Sequence, residues 1–596
     1  PGVYTYVDNE QSSAAKSEQQ TKKVITKHQL NINYDLVEGA NNPEKYEVKL
    51  CVFNENKQYM CMRQLMDVMA EKNGGQTSKV FKLEQGETFK VYPVREHMMD
   101  VREDLSKNKN FAQSESNQRI KALEIETSES ISGGVTLHTV TIKIPPILRM
   151  GCFFDGTGND ESDPVKYSNV KKLSTYYSDS LKNLPHSFHV KYIRGVGSDG
   201  DGPVDGILGS AAGIGAIERI AGMLHELEEA CSLYLKEYKQ YPESIQLDVF
   251  GFSRGATTAR HFMNVLKQGF YGFKDKKLQT YITPKNIMFS FVGLFDSVGS
   301  YGIAGDNEDY GYNFHIREKW LTKKAKVIHL IALNEYRKNF DLQTVLVGQN
   351  KEYPEDKVNG KIYELGLMGA HSDVGGSYGP NEQGVLNNEQ NPSQLSLVAL
   401  EKMYEFAKSC EVPLSPLNMG SLESNLVDNY QILEDAFKQQ KVKRAWMQWV
   451  EYEKFIQILN RRVVSLEKLA PRNKKTALAI INKKIEAASL QIDKKKKLIE
   501  NGLGKGEFSR FKTAYEYLEK YYIHESHNPF NKTLFMGAEE DEDELNVRHL
   551  TRTIFFKPAV DFEQVNKELD RIEYGRAYPV EVDIDEFDFV MAKPFQ

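Results

Sequence analysis

The chain has 596 residues, 40% of them hydrophobic and 27% charged, with a formal net charge of −6; that length exceeds one ordinary core and calls for two to four domains. Its five cysteines, at 51, 61, 152, 231 and 410, show neither metal-ligand nor redox spacing, which argues for free thiols assembled in a reducing cytoplasm. No apolar stretch approaches about 20 residues, so no transmembrane helix is expected. The polar segment after Pro1-Gly2-Val3-Tyr4 lacks a signal-peptide pattern, so action outside the producing cell would need a dedicated machine.

Residues 9 to 24 are polar and predict no packed element. From Gln29 to Ile144 the pattern leans toward β, with period-two alternation over Tyr46–Val52 and Thr136–Ile144, a polar break over Asp104–Gln118, and Pro145-Pro146 closing the region. This predicts an N-terminal β-leaning module over 1–145, an adaptor by position alone. A strand over Ile147–Phe154, a helix over Val170–Ser180 and a strand over His189–Ile193 follow. Next come a helix from about Gly215 to Tyr238, a strand over Ile245–Phe250, and a helix continuing from Thr257 to Leu266. After these the pattern predicts a strand Ile287–Phe295, a helix Val327–Lys338, a strand Ile362–Met368 and a helix Gln394–Lys408. Strands alternating with helices predict an α/β domain over 146–433, a mostly parallel sheet covered by helices, with its site at the carboxyl ends of the strands.

Beyond Glu434 the character changes. Phe455, Ile458, Arg462, Leu466 and Leu469, then Leu478, Ile481, Ile485, Ala488, Ile492 and Ile499, repeat at helical spacing around a Pro471-Arg472-Asn473 turn. This predicts a helical hairpin over 434–503, inserted in or appended to the α/β domain. Between Lys438 and Lys497 stand 17 Lys/Arg against 5 Asp/Glu, a local balance of +12. With Trp446 and Trp449 near its start, such a hairpin could rest on anionic headgroups, or equally serve as a solvated bundle or protein-docking arm. An acidic run, Glu539–Glu544, and a strand-like Pro579–Ile584 lie in a C-terminal α+β segment, 504–596, expected to pack on the catalytic domain.

The most informative motif is Gly251-Phe252-Ser253-Arg254-Gly255-Ala256, G-x-S-x-G behind an apolar strand and ahead of a helix. That context is a nucleophile elbow, which exposes Ser253 at the top of the sheet. A serine nucleophile needs a base and an acid to orient it. Asp296 ends the apolar run Phe289–Phe295, and His371 follows Gly366–Ala370, so the chain order Ser253, Asp296, His371 is that of α/β-hydrolases. His524 is the rival base. His329 reads as a helix residue packed near the site. Two N–H donors should face the oxyanion: one from Arg254, the other from the loop Asp155-Gly156-Thr157-Gly158-Asn159, with Gly156 or Thr157 as donor. Gly195-Val196-Gly197-Ser198-Asp199-Gly200 formally fits a dinucleotide fingerprint, but no helix opens there and Pro203 interrupts it. Asp199, Asp201 and Asp205 resemble half a calcium loop without its terminal Glu.

Five segments in order carry a family resemblance: Phe154–Asn159, Gly195–Gly197, Gly251–Ala256, Phe295–Ser300 and His371–Gly376. Together they resemble the α/β-hydrolase domain of type VI secretion phospholipase effectors with a GFSRGA-type elbow. His329 with Ala332–Arg337 is similar to that family's segment between Asp and His, and Ser297 stands where the family pattern has Thr. The resemblance spans about residues 147 to 410 and leaves out 1–145 and the hairpin. It implies an antibacterial toxin that hydrolyses membrane phospholipid esters, with Ser253, Asp296 and His371 as triad and no metal, cofactor or nucleic acid. It also implies a secretion-spike carrier, delivery to the target cell (its periplasm) and a cognate immunity protein. The alternatives are an esterase on another lipid or short-chain ester, and a catalytically silent spike-binding module.

Overall fold

The computed structural model describes residues 24–36, 45–69, 75–95, 125–131, 134–144, 146–159, 162–185, 187–196, 210–269, 271–299, 314–337, 340–346, 356–379, 394–467, 474–524, 540–542, 548–550 and 554–555. The polar stretches 9–23 and 104–118, the glycine- and aspartate-rich segment 197–205, the Pro471 turn and the strand expected at 579–584 lie outside the described residues. The chain divides into two compact units, 1–37 with 42–144, and 38–41 with 145–596.

Among the described residues, the first unit contains seven strands: β1 (Ile25–Leu36), β2 (Lys45–Phe53), β3 (Tyr59–Met69), β4 (Gly75–Glu84), β5 (Thr88–Arg95), β6 (Glu126–Ile131) and β7 (Val135–Ile144). They form one sheet in the order β4-β1-β7-β6 and another in the order β3-β2-β5. Alternate residues point inward, as the period of a strand requires. Leu30 and Ile32 of β1 meet Val48, Leu50 and Val52 of β2, with Phe81, Val91, Val140 and Ile142 completing the core.

The second unit is built on a seven-stranded sheet. Its strands are β8 (Leu148–Phe154), β9 (Phe188–Ile193), β10 (Ile245–Phe252), β11 (Ile287–Phe295), β12 (Val327–Ala332), β14 (Lys357–Asn359) and β15 (Ile362–Leu367), with the two-residue β13 (Leu342–Gln343) outside the sheet. The order is β14-β15-β12-β11-β10-β8-β9, parallel throughout except for the β14–β15 edge hairpin. Strands buried on both faces read as near-continuous apolar runs, which is why Ile287–Phe295 was legible as one. One face packs Met150, Cys152, Leu247, Val249 and Phe289 against helices α2 (Ser210–Tyr238) and α3 (Arg254–Gln268). The other sets Phe153, Phe250, Phe291 and Leu330 against α1 (Asn169–Leu181) and α6 (Gln394–Ser409). A buried Arg149–Asp248 pair, bonded at 2.9 and 3.0 Å and joined by the Tyr177 hydroxyl at 3.0 Å, ties β8 to β10 beneath the site.

The expected helix over Val327–Lys338 is not formed. Val327–Ala332 is a strand between β11 and β15, buried at every position, so no solvent-facing side marks it as a helix. His329 therefore lies on a strand, not a helix.

Downstream, α7 (Ser424–Phe437), α8 (Gln440–Glu467), α9 (Lys474–Leu503) and α10 (Glu507–Tyr521) form a helical layer. α8 and α9 pair through Tyr452, Phe455, Ile458 and Leu459 against Ile481, Ile485, Ala488 and Ile492, the apolar seam the spacing predicts. Trp446 and Trp449 are not at a surface. They are buried, with ring centroids 5.8 and 5.5 Å from that of Phe508 of α10, because a wide aromatic face is better covered by helix than by water. The same cluster includes Leu333, Met368 and Leu395 of the α/β layer.

Candidate active site

In the sheet order, β9 and β10 lie on opposite sides of β8. The chain leaves the tops of β8 and β10 in diverging directions, and a crevice opens at that point. The loop Asp155–Asn159 follows β8, and Ser253 follows β10.

Ser253 carries the strained geometry itself, with φ +57° and ψ −128°. Its N–H donates to Phe295 O at 3.0 Å, and its carbonyl accepts from Ala256 N at 3.1 Å and Val298 N at 3.2 Å, so neighbouring strand ends hold the turn. Gly255 is required by close approach: a Cβ there would stand 2.2 Å from the backbone oxygen of Asp155.

Asp296 ends β11 at φ +41° and is fully buried. Its N–H donates to Leu330 O at 2.7 Å, and its Oδ1 accepts from Ala332 N at 2.8 Å. Its Oδ2 lies 2.6 Å from His371 Nδ1. The next residue, Ser297, donates its N–H to His329 Nε2 at 3.0 Å, which leaves His329 Nδ1 to donate to Glu364 at 2.9 Å. Burial alone would push the Glu364 carboxyl up, but bonds from His329, Val345 N–H and Thr344 outweigh it and hold it below its ordinary range. A strand residue thus buttresses the Asp296 turn from behind.

His371 opens the short helix α5 (His371–Gly375). Its ring packs 4.7 Å from that of Phe252, the residue before Ser253, and edge-on to Phe340 at 4.9 Å. Its N–H donates to Glu335 at 3.2 Å. Glu335 also holds Arg337 by bonds of 2.9 and 2.8 Å, and that guanidinium covers the Phe340 ring at 3.4 Å. Burial lowers the His371 pKa below the usual imidazole value, with the Asp296 bond pulling the other way without reversing it. An imidazole neutral at Nε2 with Nδ1–H on a carboxylate is the form that accepts a proton.

The structure brings His371, not His524, to Asp296. His524 Nδ1 lies 2.5 Å from Asp373 Oδ1, its N–H donates to Asp373 Oδ2 at 2.8 Å, and its ring stacks on Tyr378 at 4.2 Å.

In the loop after β8, the Gly156 N–H is spent on Asp155 Oδ1 at 2.7 Å, which removes Gly156 from the candidate oxyanion donors. The Thr157 N–H takes no partner among the described residues, and its hydroxyl accepts from Arg254 Nε at 2.5 Å. Asp155 also accepts from Ser168 and Tyr192 at 2.7 and 2.6 Å. Burial raises its pKa to about 6 against those bonds. Sequence reasoning missed the Glu335, Arg337 and Phe340 cage around His371; only the i, i+2 charge pair in Glu335-Tyr336-Arg337 hinted at it. It also could not give Asp155 its role of tying down the loop.

A family model described as the type VI secretion system phospholipase effector Tle1-like catalytic domain matches residues 149–272 and 272–405. Among solved structures, the chain is similar to the Tle1 effector bound to the VgrG spike from the Type 6 secretion system. That match has 20% identity over 53% of this chain and 85% of that one, with a TM-score of 0.37. It is also similar to an uncharacterized protein from Pseudomonas aeruginosa, with 17% identity over 62% of this chain and 66% of that one and a TM-score of 0.38. No curated protein matches the sequence.

Proposed function

We propose, from the match of residues 149–405 to the Tle1-like catalytic domain of type VI secretion phospholipase effectors, that the protein cleaves acyl esters of membrane phospholipids through Ser253, His371 and Asp296. The observation that carries this reading is the 2.6 Å bond from His371 Nδ1 to Asp296, with the His371 ring packed on the residue preceding Ser253.

In the proposed mechanism His371 Nε2 takes the Ser253 proton as Oγ attacks the ester carbonyl, and Asp296 stabilises the imidazolium that results. The oxyanion is held by the N–H groups of Arg254, at the start of α3, and Thr157. The tetrahedral intermediate collapses with His371 returning the proton to the leaving lysolipid hydroxyl. Water, deprotonated by the same imidazole, attacks the acyl-serine carbonyl, and the imidazolium returns that proton to Ser253 Oγ as the fatty acid leaves. The family premise extends the proposal to a toxin carried by a secretion spike to the periplasm of a target cell and restrained in the producer by an immunity protein.

The test is fatty-acid release from phosphatidylethanolamine/phosphatidylglycerol liposomes by wild type, Ser253→Ala, His371→Ala and His524→Ala, with fluorophosphonate labelling in parallel. Loss of release in the first two variants, by about a thousandfold or more, and retention in His524→Ala are expected. Activity that survives His371→Ala but not His524→Ala would move the base to His524. A wild type that labels yet releases no fatty acid would redirect the reading to another ester.

A further inference from the structure

Behind β12 the chain passes through Glu335-Tyr336-Arg337 and reaches Phe340, beside the helix α5 that His371 opens. Glu335 is fully buried, and both of its oxygens are engaged. Oε1 accepts from the Arg337 N–H and from Arg337 Nε, each at 2.9 Å. Oε2 accepts from Arg337 Nη2 at 2.8 Å and from the His371 N–H at 3.2 Å. The planar fork of a guanidinium matches the two oxygens of a carboxylate, so the pair holds one orientation. The same guanidinium covers the Phe340 ring, its central carbon 3.4 Å from the centroid, and that ring stands edge-on to the His371 imidazole at 4.9 Å. One ion pair thus grips His371 twice, at its backbone through the carboxylate and at its ring through Phe340.

Burying two full charges sacrifices their hydration, and such a pair adds little stability over apolar side chains of the same shape. Its place against a base gives it another use. Asp296 at the end of β11, and Glu335 and Arg337 behind β12, bring charge to His371, while β10 presents the Phe252 ring. On α5, Asp373 is turned to the Ala370 N–H and to His524, and beyond it Tyr378 stacks on the His524 ring. Burial and the Arg337 cation favour the neutral imidazole, whereas Asp296 and Glu335 favour the charged one. Paired, Glu335 and Arg337 oppose each other and leave Asp296 as the charge that governs the ring.

We propose that Glu335 and Arg337 are positioning residues, a charge-balanced clamp that seats His371 between Asp296 and Phe252 for its work as base. This rests on the proposed role of His371 and deepens it.

The pH dependence of fluorophosphonate labelling of Ser253 reads the base without any lipid, and kcat and KM on phospholipid are measured beside it. Glu335→Gln keeps the shape and an acceptor for the His371 N–H but takes the counter-charge from Arg337, so the acid limb should move to lower pH. Arg337→Gln removes the cation and should move the limb to higher pH. The double variant should return it close to the wild-type position. Arg337→Lys keeps the charge without the fork, so the limb should stay while kcat falls on the order of tenfold and KM holds. A pair that only supported the fold would lower kcat or the thermal midpoint without moving the limb in opposite senses.

Limbs unmoved in both single Gln variants, or moved in the same sense, overturn the clamp, and the phospholipase reading stands wherever the wild type releases fatty acid. If one single variant does not fold, the sense of the other decides. If neither folds, a wild-type kcat in Arg337→Lys overturns the clamp, and a lowered kcat at an unmoved limb supports it. A wild type that labels but releases no fatty acid ends the phospholipase reading, while the labelling limbs still decide on the clamp. Labelling at the wild-type rate in His371→Ala removes the base, and the clamp falls with it.

Discussion

Ser253 and Asp296 both hold positive φ, at the ends of adjacent strands β10 and β11. Each such residue costs on the order of 1–3 kcal/mol, and each is held by a bond from its own N–H to the neighbouring strand. The sequence marked both positions, because each ends a long apolar run and one sits in a G-x-S-x-G motif. It could not mark the strain at Asp296, which no motif signals, nor the cage of Glu335, Arg337 and Phe340, which forms across loops. The Asp296 carboxylate has two separable duties: Oδ1 braces Ala332 N–H and Oδ2 orients His371. Asp296→Asn can keep the first through its carbonyl while presenting an NH2 to Nδ1, which favours the tautomer protonated at Nε2. We expect kcat to fall about ten-thousandfold with fluorophosphonate labelling slowed in parallel, and the thermal midpoint to move little. A second expectation concerns pH. In the proposed mechanism His371 works deprotonated, so its lowered pKa should place the acid limb of kcat/KM below pH 6.5. The same shift makes the unfolded chain bind the proton more readily, so this residue's contribution to stability declines as pH falls below 6.5. A limb centred above 6.5 would contradict this placement of the imidazole.

At the scale of elements, the informative departure is β12. Six residues buried on both faces carry no periodicity that separates strand from helix, and Leu333-Asn334-Glu335-Tyr336-Arg337-Lys338 behind them extends the run to helical length. The strand matters because it places His329 behind Ser297 and the Asp296 turn. The short helix α5 is a second case. Its sequence, His371-Ser372-Asp373-Val374-Gly375, offers two titratable residues two apart, and the fold sends them to different partners, Asp296 and His524. Asp373 accepts from Ala370 N–H at 2.9 Å and from His524 N–H and Nδ1. It thereby pins both the start of the helix carrying His371 and the chain beyond α10. Removing it leaves three buried donors unpaired. Asp373→Ala should therefore lower stability by about 3 kcal/mol, read as a lower urea midpoint, and reduce kcat because His371 loses its anchored turn. A midpoint within experimental error of wild type would show that water or rearrangement replaces the clasp.

Across the whole second unit, the helical layer is appended in sequence but not in packing, since Trp446, Leu518 and Phe508 share a core with Leu333 and Met368. The tryptophans that suggested a lipid-facing hairpin are consumed in that core. The outer face of α9 offers a different basis for the same idea. Ile480, Leu490 and Leu498 are 53%, 61% and 55% exposed, and Lys483, Lys494 and Lys497 stand exposed among them. The spacings 480, 483, 490, 494 and 497 follow steps of three, four and seven, so these residues share one stripe of the helix. Apolar side chains interleaved with lysine suit the boundary of an anionic bilayer, where each cation near the surface adds about 1 kcal/mol of attraction. Lys483→Gln/Lys494→Gln/Lys497→Gln should then weaken binding to phosphatidylglycerol vesicles by on the order of a hundredfold at low salt. Since such attraction is screened within about 10 Å at 0.1 M salt, wild type and triple variant should converge as salt rises. Turnover in neutral micelles should be nearly untouched, because these lysines lie away from the Ser253 crevice in the chain and in the core they flank. Equal vesicle binding by the two proteins at every salt concentration would assign the stripe to solvent or to a protein partner, and leave the bilayer to be met by the crevice alone.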